Sequence, residues 1–69
     1  MTYGKNARVG NAIVFTRQGA IEAYKRFCEV FNKYMNMEAS VVLSGAFEDM
    51  MKLGFTPNEI EQIELSTLN

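Results

Sequence analysis

The chain has no histidine and a single cysteine, Cys28. Without histidine it lacks both the usual neutral-pH general base and the commonest metal ligand. One cysteine can neither close an internal disulfide nor assemble a zinc site. There is no glycine-rich phosphate loop and no nucleophile elbow. The carboxylates Glu48, Asp49, Glu59, Glu61 and Glu64 are expected on solvent faces or in helix caps, where nothing raises their pKa for acid-base work. These absences argue against an enzyme and imply no metal and no cofactor. No apolar run approaches the ~20 residues a bilayer span requires, and no hydrophobic segment follows a basic start as in a secretory leader. The expectation is therefore a cytoplasmic protein without membrane association.

What is present is apolar for the size. Of 69 residues, 48% are hydrophobic and 22% charged, too apolar a composition for a disordered chain. A domain this small sits near the size at which one core just balances the conformational entropy lost on folding. With no disulfide or metal to help, the expected staple is oligomerisation, and a homodimer is the simplest form. The net charge of −1 is unevenly spread. Residues 1–36 carry six basic side chains against two acidic, a net of +4, and residues 37–69 carry one against six, a net of −5. A basic half can face nucleic acid and an acidic half can dock a basic partner, or both are ordinary solvated faces.

The strongest local signal is Leu53-Gly54-Phe55-Thr56-Pro57-Asn58-Glu59-Ile60. Gly54 suits the left-handed residue that ends a helix, Thr56 an N-cap, and Pro57 the first helical position. Glu59 completes a capping box with Thr56, and Phe55 and Ile60 are spaced for a hydrophobic staple. Two helices must meet at this corner.

Upstream, Arg17 to Met35 reads as an amphipathic helix with Ala20, Ile21, Tyr24, Phe27, Cys28, Phe31, Tyr34 and Met35 inward. Cys28 is thus expected to be buried and inert. Glu22 with Arg26 and Glu29 with Lys33 are spaced as i,i+4 pairs. A second helix over 38–53 gathers Ala39, Val42, Leu43, Ala46, Phe47, Met50, Met51 and Leu53 on one face. The short link at Asn36-Met37 implies antiparallel packing with the first. Gly45 costs about 1 kcal/mol relative to alanine inside a helix, either as a tolerated exposed glycine or to let another backbone approach, most simply that of a symmetry-related copy. A third helix over 57–66 turns Ile60 and Ile63 inward and leaves Leu65 and Leu68 as exposed apolar contacts. Residues 1–8 read as an arm. Residues 9–16, with Ile13-Val14-Phe15-Thr16 β-branched and aromatic, read as a strand whose natural partner is the same strand of a second copy. An extra helical turn leading into the first helix is the alternative there.

The fold expected is mainly α: a small three-helix domain with an N-terminal strand or arm. The segment Ser40-Val41-Val42-Leu43-Ser44-Gly45-Ala46-Phe47-Glu48, preceded by a strand-like stretch and an amphipathic helix, resembles ribbon-helix-helix DNA-binding proteins over about forty residues. That resemblance implies a dimeric ribbon in the major groove, with Asn11 and Thr16 as polar strand residues and the amides of 37–40 on a phosphate. Lys5, Arg8 and Arg17 would be further nucleic-acid contacts. The chain departs from the pattern at Glu38, which puts negative charge where the phosphate would lie, and in the apolar strand. Met51-Lys52-Leu53-Gly54-Phe55-Thr56 is similar to the Met-Gly-Phe loop of ubiquitin-associated domains, which implies ubiquitin binding, although the corner chemistry already accounts for each of those residues. The first expectation is a non-enzymatic regulatory or protein-interaction module, homodimeric, with Ile13, Phe15, Gly45, Phe47, Met50, Met51, Leu65 and Leu68 as contacts. DNA binding of the ribbon-helix-helix type is the alternative.

Overall fold

In the computed structural model, which describes residues 7–68, three helices follow a small hairpin. The hairpin pairs β1 (Arg8–Val9) antiparallel with β2 (Ala12–Ile13), setting Arg8 opposite Ile13 and Val9 opposite Ala12. The Val14 amide extends the pairing by donating to the Ala7 carbonyl at 3.0 Å. Gly10 and Asn11 form the two-residue turn, and Gly10 takes a φ of 63°. A positive φ confined to the first loop position, held by glycine, is the pattern of a type II′ turn, whose twist matches that of the flanking strands. The single strand expected over 9–16 is thereby corrected. Gly10-Asn11 is the turn rather than the strand's boundary, and the partner of Ala12–Ile13 lies in the same chain. The expected arm over 1–8 falls largely outside the described residues.

α1 (Arg17–Tyr34) is capped by Thr16, whose hydroxyl accepts from the Gly19 amide at 3.0 Å. Met35 ends it in the left-handed region at φ 48°, its amide donating to the Phe31 carbonyl. Asn36 immediately caps α2 (Met37–Lys52) by accepting from the Ala39 amide at 2.7 Å. α1 starts at Arg17 as expected and ends one residue early, and α2 is shifted one residue toward the N-terminus; at their junction Met35 stops one helix and the Asn36 side chain starts the next. A two-residue connection forces the pair into a hairpin.

Gly54, at φ 102°, turns the chain out of α2. α3 (Pro57–Ser66) then opens on the full capping box: the Glu59 amide donates to Thr56 Oγ1 and the Thr56 amide donates to Glu59 Oε1. Phe55 and Ile60 are both buried, as the staple requires. Arg17 at the start of α1 ties this corner down. Its guanidinium lies 4.2 Å above the Phe55 ring and pairs with the Glu59 carboxylate. Among the described residues this pair is the one that closes to contact, whereas Glu22–Arg26 and Glu29–Lys33 do not.

The Thr56 amide is the main influence holding the Glu59 carboxyl below its ordinary value, with Arg17 adding to it. A carboxylate with a depressed folded pKa contributes stability above its unfolded value, and that contribution disappears as pH falls through the folded value. Glu59→Gln is therefore expected to be less stable than the parent at neutral pH and to converge with it under acid. Thermal melts of both proteins from pH 7 to pH 2 test this, and a constant gap across the series would contradict it.

The core is a cluster with Tyr24, Met50, Ile60 and Val9 fully enclosed, joined by Val14, Ala20, Cys28, Ala46 and Phe55. The β-hairpin packs Val9 against both α1 and α2, and α3 leans on the same two helices. Every element thus contributes to one core.

Candidate interaction surface

The hairpin is locked to the helices at its turn. The Gly10 amide donates to Asp49 Oδ2 on α2 at 2.8 Å, and the Phe27 ring of α1 lies so close that a Cβ on Gly10 would stand 2.8 Å from it. The β-hairpin therefore covers the crevice between α1 and α2 at the end formed by the start of α1 and the finish of α2. It does not reach the other end. There an open groove of about 360 Å³ is lined by Phe27, Val30 and Tyr34 of α1 and by Ala39 and Val42 of α2, with Asn36 and Glu38 at its rim. Met35 and Met37 stand exposed at the helix turn beside it, Met37 being 82% accessible.

The groove lies on the side of the pair that carries the hairpin, whose turn reaches α1 at Phe27. α3 runs along another side of α1, from Glu59 beside Arg17 to Thr67 and Leu68 beside Asn32 and Phe31, and so leaves the groove open. Tyr34, Met35 and Val42, expected in the core from their periodicity, are accordingly exposed.

The expected contact residues do not form one patch. Ile13 and Phe15 are exposed beside the N-terminal turn of α1. Phe47 is half-buried and borders a hollow with Tyr24, Leu43 and Glu64, on the side of α2 that faces α3. Leu65 and Leu68 are exposed on and after α3, with Leu68 beside Phe31 and Cys28. Met51 is 42% exposed. Met50, expected beside it as a contact, is instead wholly enclosed within the core cluster that Val9, Tyr24 and Ile60 share. Gly45 is exposed, and a Cβ built there meets no atom within 4 Å.

The expected nucleic-acid residues are also divided. Thr16 is occupied as the α1 cap and Arg17 by Phe55 and Glu59. Arg8 and Asn11 are exposed on the hairpin, and Lys5 lies outside the described residues.

Beneath the surface, the Tyr24 hydroxyl donates to Glu64 Oε2 at 2.5 Å, satisfying the one polar atom of a fully enclosed side chain. Burial and the Glu64 carboxylate together push the Tyr24 phenol well above its ordinary value. Burial likewise pushes the Cys28 thiol up to about 11, Glu64 adding to the effect. A thiol protonated at neutral pH and enclosed is a poor nucleophile. Native protein at pH 8 is expected to react with a disulfide reagent at least tenfold more slowly than urea-unfolded protein, as followed by thiolate release. Equal rates would show that Cys28 is accessible. Among the described residues no three metal-ligating side chains gather, and no helix is long and apolar enough to cross a membrane.

No protein-family model, curated protein or solved structure matches the chain.

Proposed function

We propose that this chain is a small non-enzymatic interaction module of regulatory type that acts as a homodimer. The observation that carries the reading is the uncovered end of the α1–α2 pair, where Val30, Tyr34, Met35, Met37, Val41 and Val42 are all exposed. Soluble monomers seldom gather large apolar side chains in one exposed place unless something docks there. The two methionines add unbranched, polarisable side chains that adapt to a partner's shape.

Sedimentation equilibrium across the micromolar range tests the homodimer: a mass near twice the chain mass is expected, and a monomer throughout would overturn it. The alternative, DNA binding through the hairpin, draws on the exposed Arg8 and Asn11. It requires affinity that falls steeply with salt and drops on Arg8→Ala. The interaction reading requires negligible DNA affinity at physiological salt.

A further inference from the structure

One face of α2 is left uncovered by the described residues and is self-complementary. At 100° per residue, Glu38, Gly45 and Lys52 fall seven residues apart along nearly one line of the helix. Val41 and Val42 flank that line between Glu38 and Gly45. All five are exposed, and Val41 is 66% accessible. Valine and glycine are poorer helix formers than alanine or leucine, and among the described residues little packing repays the use of Val41 and Gly45 here. At Gly45 in particular no neighbouring atom explains the missing side chain.

We propose that this face is the contact between two copies of the chain, with their α2 helices antiparallel and Gly45 at the two-fold axis. The charge pattern selects that arrangement. An antiparallel pair centred on Gly45 sets Glu38 against the partner subunit's Lys52 and Lys52 against the partner subunit's Glu38, each about 10 Å from the axis. A parallel pair would oppose glutamate to glutamate and lysine to lysine. The antiparallel pair also places the positive end of each helix dipole beside the negative end of the other. Glycine at the crossing lets the two backbones approach closely, so that Val41 and Val42 of both copies close over the axis. Val42 also lines the groove with Val30 and Tyr34, so the contact continues onto the uncovered end of α1.

This surface rests on the homodimer reading and deepens it. Its test is a pair of charge reversals followed by sedimentation equilibrium. Glu38→Lys and Lys52→Glu each place two like-charge contacts across the axis, and each is expected to weaken self-association about tenfold. Mixed in equal amounts, the two variants regain opposite charges at both contacts. The mixture should therefore associate as tightly as the parent while each alone does not. Gly45→Leu provides a variant that does not endanger the fold. Leucine is a good helix former, and its Cβ enters open space. It should raise the thermal midpoint of the monomer yet abolish the dimer. A parent that dimerises with both reversals and Gly45→Leu behaving like it would overturn this surface and leave the homodimer standing. A parent that is monomeric at every concentration would overturn both.

Discussion

Gly10→Val is expected to lower the unfolding free energy by about 2–4 kcal/mol, enough to leave much of a domain this small unfolded at 25 °C. Two costs coincide at this position. The first is conformational: Gly10 has a φ of 63°, where a β-branched residue is an outlier. The second is steric: a Cβ there stands 2.8 Å and 3.0 Å from atoms of the Phe27 ring. The ring must move, and its shift disturbs the packing of the β-hairpin on α1. Gly10→Ala should cost less, since alanine enters the left-handed region more readily and displaces only the end of the ring. Asp49→Ala probes the same lock from the other side, leaving the Gly10 amide without its acceptor in a partly buried position, at a cost of about 1–3 kcal/mol. Urea unfolding followed by circular dichroism, with all variants at one protein concentration, gives the order. A Gly10→Val midpoint equal to that of the parent would show that the hairpin is not held as described.

The features legible in the sequence are those written by neighbouring residues. At the corner from Gly54 to Ile60, each residue's role depends on one at most five positions away, and all of them appear: the left-handed glycine, the cap, the box and the staple. The interior of α1 was legible for the same reason, since Ala20, Tyr24 and Cys28 repeat at helical spacing and are buried. The β-hairpin was not. Its strands have two residues each, too few for alternation to show, and Gly10 is fixed by Phe27 and Asp49, 17 and 39 positions away. The link at Met35-Asn36 was misplaced by one residue because methionine is a rare choice for a left-handed stop. The contact residues were hardest to read. Periodicity gathers the apolar positions of α2 onto one side but cannot say how far along the helix other elements cover that side. The cover on the groove side is a hairpin whose strands were not recognised, so the bare end of the pair became visible only with the fold.

The adjacent methionines Met50 and Met51 turn that difference into a measurement. Met50→Ala is expected to lose about 2–5 kcal/mol, the cost of deleting a fully enclosed side chain and leaving a cavity. Met51→Ala is expected to change stability by well under 1 kcal/mol, since its side chain is 42% exposed. The contrast comes from position alone: the two residues have the same chemistry, lie in the same helical turn and are replaced by the same good helix former. Met50 belongs to the core cluster to which β1, α1 and α3 contribute Val9, Tyr24 and Ile60, and the backbone at this position also holds the corner, its carbonyl accepting from the Leu53 and Phe55 amides. Those backbone bonds survive the substitution, so the loss measures packing rather than capping. Because self-association would add stability that depends on concentration, urea midpoints should be compared at several protein concentrations. A Met50→Ala deficit that persists on dilution marks the residue as part of the chain's own core. A deficit that vanishes on dilution would return Met50 to a surface between copies and contradict the enclosed position described here.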